Sequence, residues 1–307
     1  MTNSKEIARI ADVAMYEAEP DPTVQAGSAV HPTATLISMT PNPLRTMAAA
    51  SGLYSGRVVR DVGEVSKDEA LAALASVQKT TLKAPLEFID LEFLLEGVTR
   101  NFTHQLVRQR TGVYVQESLR FAVKRGGEAE VAMPPSIARL KEDAPQRIIW
   151  ENSVHTACIS YERLVDSGIP AEDARGLLPS NITTRVHYKT NLRNLADHAG
   201  YRLCSQAQYE WKQVWQAMIN AILDYPMRQG LYYANSDLWQ YQAIAGLFKP
   251  ICYETGKCEF MGAEDRFCSI RVRVENHHER GEKPETWTDI DPREPLRDGA
   301  ARLAPEV

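Results

Sequence analysis

Arginine is concentrated in two stretches of a chain whose formal net charge is -5. The first stretch, residues 101–121, adds a serine and three glutamines, and the second, residues 174–210, adds asparagines and glutamines. The arginines and the serine are Arg108, Arg110, Ser118 and Arg120 in the first stretch, and Arg175, Arg185, Arg193 and Arg202 in the second. A planar guanidinium binds phosphate through paired hydrogen bonds, and a serine hydroxyl adds a donor. The pattern indicates a pocket for a nucleotide phosphate and a polar ring, whereas surface ion pairs are the alternative interpretation.

The spacing of these residues is more specific than their composition. Arg108-Gln109-Arg110, seven further residues and then Ser118-Leu119-Arg120-Phe121 resemble the R-H-R-x7-S signature and its S-x-R-[YF] continuation in the flavin-dependent thymidylate synthases. Three later blocks resemble that family's A-R-x-x-L-P, N-x-R-x-L and R-x4-A-Q-x-E motifs in order and spacing, namely Ala174–Pro179, Asn191–Leu195 and Arg202–Glu210. One such match is weak, but four ordered blocks between Leu82 and Trp211 are hard to obtain by chance.

The resemblance implies an enzyme that methylates uracil at C5 with FAD. Uracil C5 is a poor nucleophile, and this family uses a reduced flavin as hydride donor without adding a cysteine thiolate at C6. In that scheme NADPH reduces FAD, and methylene-tetrahydrofolate supplies the carbon for methylation of dUMP or UMP. The implied partners are a pyrimidine nucleoside monophosphate and further copies of the chain, because the family's active sites are assembled between subunits of a homotetramer.

The resemblance also assigns roles to single residues. Arg202 is the expected catalytic residue, a fixed cation at the uracil edge where negative charge gathers as C5 attacks. The expected nucleotide contacts are Gln105, Arg108, Gln116, Glu117, Ser118, Leu119, Arg120, Arg175 and Arg202, with Ser118, Arg120 and Arg175 on the phosphate. The expected flavin contacts are Arg108, Gln109, Arg110, Asn191, Arg193, Asp197 and Gln206. No residue is assigned to a metal.

The chain departs from the family pattern at three places. Gln109 replaces the middle histidine of R-H-R, and Glu87 is all that residues 82–88 retain of the family's H-x-[ST]-x-x-E-H block. Both changes fall on the flavin and folate side, so we expect the nucleotide side to be better retained. Gln116 stands where the family has glutamate near the sugar, and an amide both donates and accepts hydrogen bonds. It could bind a ribose 2′-hydroxyl, which leaves a UMP methylase of a nucleoside-antibiotic pathway open beside a dUMP enzyme.

Helical periodicity is more frequent along the chain than strand alternation. The pattern predicts helices over Asn42–Ala50, Lys67–Val77, Pro145–Ser167, Gln206–Tyr225 and Asp237–Leu247, and strands over Leu86–Leu95, Ser118–Val123 and Ile182–Thr190. A further helix that carries His104 to Arg110 is expected to end near Gly112. Strands do not alternate regularly with helices, so the predicted fold class is α+β. The family resemblance specifies a mostly antiparallel sheet flanked by long helices.

The composition is that of a folded protein. The chain has 307 residues, of which 44% are apolar, enough for one large domain. We predict a single catalytic domain over residues 1–274, with its motif core at 82–211. Residues 275–307 contain four prolines and fourteen charged residues, so we expect a charged arm without a core of its own.

Charge and hydropathy exclude several classes of protein. A net charge of -5 gives no general attraction to nucleic acid or to an anionic membrane. The N-terminal residues lack the apolar segment of a signal peptide, and no apolar run approaches the ~18 residues of a membrane span. We therefore expect a cytoplasmic protein that binds neither nucleic acid nor membranes.

Two other functions stay open at this point. A cysteine-dependent methylase would need an activated thiolate, for which Cys204 near Arg202 is a candidate, but the Pro-Cys-His context of that family is absent. A non-catalytic or zinc-stabilised nucleotide- or RNA-binding protein would use the last three cysteines and two nearby histidines: Cys252, Cys258, Cys268, His277 and His278. Their C-x5-C and C-x9-C spacings match no usual zinc-binding pair.

Overall fold

The computed structural model describes residues 31–124, 130–204, 207–230 and 237–252. These residues form two compact units, a smaller one of Ser118–Thr183 and a larger one made of His31–Glu117 and the chain from Thr184 onward. The single domain expected over residues 1–274 stays a prediction. The charged arm expected over 275–307 also stays a prediction, because it lies outside the described residues.

A four-stranded sheet forms the base of the larger unit. Its strands, in the spatial order β1-β2-β4-β3, are β1 (Thr33–Met39), β2 (Asp90–Thr99), β3 (Val113–Gln116) and β4 (Thr183–Asn191). The β1–β2 and β3–β4 pairs are antiparallel. Ion pairs between β2 and β4 join Glu96 to Arg185 and Asp90 to Lys189, so these two strands also run in opposite directions.

The helices of the larger unit pack on one face of the sheet, and the smaller unit has three helices of its own within residues 135–174. In chain order the helices are α1 (Pro43–Gly52), α2 (Lys67–Lys79), α3 (Arg100–Leu106), α4 (Pro135–Ala138), α5 (Pro145–Asp166), α6 (Ala171–Ala174), α7 (Leu192–Arg202), α8 (Tyr209–Arg228) and α9 (Leu238–Ala245). Side chains on β4 alternate between buried and exposed, with Val186 and Tyr188 inward. The same core buries Trp211 and Trp215 of α8, and Trp211 packs on Phe102 of α3 at 4.4 Å between ring centres. This packing joins α3 and α8, two of the helices that carry site residues.

The smaller unit has a core of its own. Leu119, Val131, Val154, Cys158 and Ile182 form this buried cluster. Two of these residues, Val154 and Cys158, lie on α5, the longest helix of the unit. The site residues on this unit are therefore positioned by a core separate from that of the sheet.

The predicted α+β fold class and the five helices predicted by periodicity are confirmed. The observed counterparts are α1, α2, α5, α8 and α9, with ends within three residues of the predicted ones. Helix α5 stops where Gly168 adopts a φ of 92°, a left-handed conformation that glycine adopts without strain. Ile148 and Ile149, near the start of α5, are exposed although both are apolar.

Two of the strand predictions were wrong in part or in whole. Residues Ala84–Phe88 form a 3₁₀ helix with Pro85 in its first turn, so β2 begins only at Asp90. Residues 118–123 form a turn, in which the backbone N–H of Arg120 donates to the Ser118 hydroxyl. Such a local serine contact competes with strand pairing. Strand β1 had not been predicted.

The helix expected to run to Gly112 ends instead at Leu106, with Val107 as its cap. Beyond it, the Tyr114 hydroxyl donates to the Gln109 carbonyl oxygen at 2.8 Å and holds the chain in a loop that leads into β3. Gly112 lies in this loop, where a β-carbon would come within 2.3 Å of the Tyr114 hydroxyl oxygen and 2.8 Å of the Tyr188 ring. The close tyrosine packing therefore requires glycine at this position.

Replacement of Gly112 by alanine should lower the free energy of unfolding by about 1–3 kcal/mol, because the added methyl group must displace the Tyr114 ring. Denaturant titration measures this change. Gly52→Ala is the matched control, since its β-carbon would make only ordinary contacts with Arg57 at 3.5 Å. Equal stability of Gly112→Ala and Gly52→Ala would contradict the packing described here.

Candidate active site

An open cleft of about 340 Å³ lies in the larger unit, between the loop after α3 and the face of α7. Its lining combines arginine, amide, hydroxyl and imidazole groups: Arg108, Gln109, Thr111, Asn194, Asp197, His198, Tyr201 and Arg202. Four of these residues, Arg108, Gln109, Asp197 and Arg202, are site residues expected from the sequence. The structure thus brings together residues from two motifs that are about 90 positions apart in the chain.

Arg202, the last residue of α7, is held on three sides. Its Nε donates to His198 Nε2 at 3.3 Å, and its Nη1 donates to Gln105 Oε1 at 3.2 Å. The guanidinium carbon lies 4.7 Å from the centre of the Trp211 ring, within the range of a cation–π contact. Burial lowers the pKa of Arg202, but the ordinary pKa of arginine is so high that the group stays charged at neutral pH. A cation with little rotational freedom therefore lines the cleft.

His198 is a neutral acceptor for that cation. Burial, and secondarily the charge of Arg202, lowers the pKa of His198 to about 4. Its ring packs edge-on against Trp211 at 4.9 Å between ring centres. The sequence did not single out His198, because a lone histidine on a helix is usually a packing residue; its spacing of four from Arg202 was the available signal.

The amide of Gln105 is engaged by protein groups. Its Oε1 accepts from Arg202 and from the Trp211 indole N–H at 2.9 Å. Its Nε2 donates to Gln208 Oε1. Gln105 was expected to contact the nucleotide, and the structure places it directly behind the catalytic candidate, Arg202.

The buried carboxylate of Glu210 lies beyond the amides of Gln105 and Gln208 and accepts a hydrogen bond from Gln208. Gln208 Nε2 donates to Glu210 Oε2 at 3.3 Å, and Glu210 is 2% exposed. The backbone N–H and the hydroxyl of Thr99 donate to the two carboxylate oxygens of Glu210 at 2.7 and 2.6 Å. Burial raises the pKa of Glu210, and these hydrogen bonds from Thr99 oppose that rise. Gln208 and Glu210 belong to a motif recognised in the sequence, but no role had been assigned to them.

Gln109, which stands in place of the family's histidine, fastens the loop after α3. Its Nε2 donates to the Asn194 carbonyl oxygen and its Oε1 accepts from the Tyr188 hydroxyl, both at 3.0 Å. Tyr188 stacks on Tyr114 at 5.1 Å, and burial raises the pKa of Tyr114 to about 12. Glutamine offers the donor and the acceptor that this position needs, so the loop is held without the histidine.

The other residues expected on the flavin side lie on or near α7. Asn191 caps the helix, since its Oδ1 accepts from the Asn194 backbone N–H at 2.9 Å. Arg193 forms an ion pair with Glu87, the one acidic residue kept from the altered upstream block. Arg110 is exposed beyond the end of α3. Gln206 lies outside the described residues.

Three residues expected on the phosphate lie close together in the smaller unit. Arg120 Nε lies 3.0 Å from Glu172 Oε2, and Arg175 Nε donates to the Glu172 carbonyl oxygen at 3.1 Å. The backbone N–H of Arg120 donates to the Ser118 hydroxyl oxygen. Both arginines are exposed. Leu119 points its side chain into the core of the unit, 7% exposed, so only its backbone is available to a ligand.

Gln116 is the last residue of β3 in the larger unit, and Glu117 directly follows the strand. The Thr103 hydroxyl donates to the Arg100 carbonyl oxygen at 3.1 Å and therefore accepts from Gln116 Nε2 at 2.9 Å. This arrangement fixes the amide of Gln116 and leaves its Oε1 as an acceptor. The Glu117 backbone N–H donates to the Arg185 carbonyl oxygen, which continues the β3–β4 ladder by one residue.

Comparison with known proteins identifies the family of the chain. Residues 35–224 match the family model described as thymidylate synthase complementing protein. Flavin-dependent thymidylate synthase from Geobacter sulfurreducens is 31% identical over 189 residues, 61% of this chain and 80% of that protein. The enzyme of the same name from Pyrococcus abyssi is 31% identical over 192 residues, 61% of this chain and 78% of that protein. The chain belongs to the flavin-dependent thymidylate synthase family, as its motifs predicted.

A solved structure supports the fold assignment. The crystal structure of PolB, a UMP/dUMP methylase from Streptomyces cacaoi bound with 5-Br dUMP, superimposes with a TM-score of 0.52. The match covers 62% of this chain and 89% of that one at 20% sequence identity. At this identity the likeness concerns the fold.

The remaining sequence expectations concern thiols, metals and membranes. Burial raises the pKa of the Cys158 thiol to about 11, which is the opposite of nucleophile activation. Within the described ranges, no group of three or more histidine, cysteine or acidic side chains could hold a metal ion; Cys258, Cys268, His277 and His278 lie outside those ranges. No helix in the described part of the chain is long and apolar enough to cross a membrane.

The depressed pKa of His198 predicts a pH-dependent stability. Between its ordinary value of 6.5 and about 4, the imidazole is protonated in the unfolded chain and neutral in the folded one. The unfolded state then binds more protons, so the free energy of unfolding should fall as the pH drops through this window, by on the order of 2 kcal/mol from this group.

Urea unfolding at pH 7.5 and pH 5 checks this expectation when the wild type is compared with His198→Phe. Phenylalanine keeps a ring against Trp211 but cannot titrate, so the variant should lose less stability on acidification than the wild type. An identical pH dependence in the two proteins would show that His198 is not held neutral.

Proposed function

We propose that the chain is a flavin-dependent methylase that adds a one-carbon unit to C5 of a uridine monophosphate and reduces it to a methyl group. The observation that carries this proposal is the fixed cation of Arg202 in a cleft lined by the family's arginine and asparagine motifs. The similarity to flavin-dependent thymidylate synthases supports this reaction.

The residues of the cleft fit a flavin. Arg108 supplies cationic donors, while Asn194 and Asp197 supply groups for the polar edges of a flat ring. We propose FAD as the cofactor, NADPH as its reductant and methylene-tetrahydrofolate as the carbon donor. When bound, FAD would supply the hydride that completes the methyl group.

Arg202 is the proposed catalytic residue. As C5 of uracil attacks the carbon donor, negative charge gathers on the ring, and a guanidinium already fixed in place stabilises that charge without reorganising. His198 and Gln105 occupy Nε and Nη1, while no hydrogen bond within the described residues involves Nη2. We propose that Nη2 donates to the uracil ring.

Ser118, Arg120 and Arg175 are the proposed phosphate contacts. Guanidinium and hydroxyl groups are the donor types with which proteins bind a dianion, and contacts with Glu172 hold the two arginines near each other. The Glu172 carboxylate lies 3.0 Å from Arg120 Nε, so it would compete with an anion for this guanidinium. Gln116 Oε1 is the proposed acceptor for a sugar hydroxyl, which supports UMP as a substrate beside dUMP.

We further propose that the chain acts as a homotetramer in the cytoplasm, as its family resemblance implies. The outer face of β3 supports association of copies, because Val113 and Val115 expose 65% and 71% of their surface on one side of an edge strand.

Arg202→Ala should reduce turnover by about a hundredfold or more, since loss of one such electrostatic contact costs ~3 kcal/mol in the transition state. Release of tritium from C5-labelled dUMP and UMP, with FAD, NADPH and methylene-tetrahydrofolate under anaerobic conditions, measures this change. Arg139→Ala, at an exposed position on the smaller unit, is the control and should leave the rate unchanged.

If Arg202→Ala turned over its substrate as fast as the wild type, Arg202 could not be a catalytic residue. No tritium release from either nucleotide by a wild type that visibly binds flavin would leave only a binding role for the chain.

Glu172→Gln should tighten binding of the nucleotide about two- to fivefold, because it removes the carboxylate that competes with phosphate for Arg120. Isothermal calorimetry with dUMP measures the dissociation constant. Glu151→Gln removes a similar ion pair, with Arg147 on α5, and should leave the affinity unchanged. Weaker binding in Glu172→Gln would contradict the assignment of Arg120 to the phosphate.

A further inference from the structure

Six side chains form one continuous hydrogen-bonded relay between α3, α7 and α8. The relay runs from Thr99 through Glu210, Gln208 and Gln105 to Arg202, with the Trp211 indole attached at Gln105. Arg202 and the indole can only donate, so Gln105 must present its oxygen to both. Its NH₂ group then has to find an acceptor, which is the oxygen of Gln208.

At the other end of the relay, Glu210 fixes the orientation of the Gln208 amide. Its oxygen accepts from Gln105, so its own NH₂ group also needs an acceptor, and Glu210 Oε2 supplies one. The backbone N–H of Thr99 can only donate, and it occupies the other oxygen, Oε1. A carboxylate is the side chain that accepts at both of its terminal atoms. The acceptor at Glu210 therefore gives the relay, at its far end, the same direction that Arg202 and the indole require at Gln105.

We propose that Glu210 is a positioning residue for Arg202: its carboxylate orients the amides of Gln208 and Gln105 so that the catalytic guanidinium always meets an oxygen. This inference rests on the proposed function through the role given to Arg202. It adds a residue that is not part of the cleft lining and is joined to Arg202 through two amides. The family motif that contains Glu210 then has a physical role in orienting the catalytic group.

The substitution Glu210→Gln removes the acceptor that the NH₂ group of Gln208 uses. Because Thr99 N–H must still face an oxygen, the new amide places its NH₂ group where Oε2 was. Gln208 then turns its oxygen toward residue 210 and its NH₂ group toward Gln105. The NH₂ group of Gln105 then faces a donor in place of its acceptor, so this amide is no longer held in place and its hydrogen bonds with Arg202 and the Trp211 indole are weakened.

A second substitution should reverse the effect. In Gln105→Glu combined with Glu210→Gln, the carboxylate at position 105 accepts from Arg202, from Trp211 and from the NH₂ group of Gln208. The oxygen of Gln208 accepts from the new amide at position 210. Each single variant leaves a mismatch among the groups between residue 210 and Arg202, whereas the double variant satisfies all of these groups. The cost falls on the Thr99 hydroxyl, which loses the acceptor that Glu210 Oε2 gives it in the wild type.

The Trp211 indole signal reports the direction of the relay without substrate, flavin or activity. The chain has five tryptophans, so ¹⁵N-tryptophan labelling gives a sparse spectrum in which Trp211→Phe assigns the signal. In Glu210→Gln the indole proton should shift upfield as its hydrogen bond weakens, and in the double variant it should return toward the wild-type position. Glu64→Gln, an exposed glutamate of the larger unit, is the control and should not move the signal.

The rate provides the second measurement. With saturating substrates, kcat of Glu210→Gln should fall about tenfold or more, as a misoriented contact to the catalytic cation predicts. A folded Glu210→Gln with an unchanged indole signal or an unchanged kcat would overturn the proposal. If that single variant does not fold, a folded double variant with a wild-type indole signal supports the proposal, and a double variant no more stable than either single variant contradicts it.

Failure of this inference is distinguishable from failure of the proposed function. The indole signal is read in the free protein, so it tests the relay even if wild-type chain releases no tritium. Conversely, a normal wild-type rate with an unmoved indole signal in Glu210→Gln would remove Glu210 as a positioning residue and leave the proposed reaction intact.

Discussion

The guanidinium of Arg202 is a partly buried cation, and a cation removed from water must be hydrogen-bonded to remain stable. A neutral imidazole, an amide oxygen and an indole face meet that requirement here. None of the three is itself charged, so the positive charge is oriented without being neutralised. A carboxylate in direct contact would hold the arginine as firmly but would cancel much of the field that the proposed chemistry needs.

This constraint explains several features of the larger unit. The carboxylate that anchors the relay, Glu210, is separated from Arg202 by two amides, and its buried charge is met by donors from Thr99. Thr99 also caps α3, since its hydroxyl accepts from the Phe102 backbone N–H. The start of α3, the end of α7 and the start of α8 are thereby fixed relative to each other. The core contact between Phe102 and Trp211 supports the same arrangement from the apolar side.

The sequence predicted those parts of the molecule that depend on local patterns. Long helices such as α5 and α8 follow from their apolar periodicity, and the arginines and Asn191 follow from motif spacing. Residues that act through distant partners could not be found in this way. His198 becomes an acceptor only because burial and Arg202 keep it neutral, and the turn at Ser118 depends on a side-chain contact that strand propensity does not include.

The crystal structure of the chain with FAD and dUMP bound would test the central claim most directly. We expect the uracil ring within about 3 Å of Arg202 Nη2, the isoalloxazine in the cleft beside it, and the contacts of Arg202 to His198 and Gln105 unchanged. A uracil ring bound away from Arg202, or an Arg202 side chain turned into solvent when both ligands are present, would contradict the account.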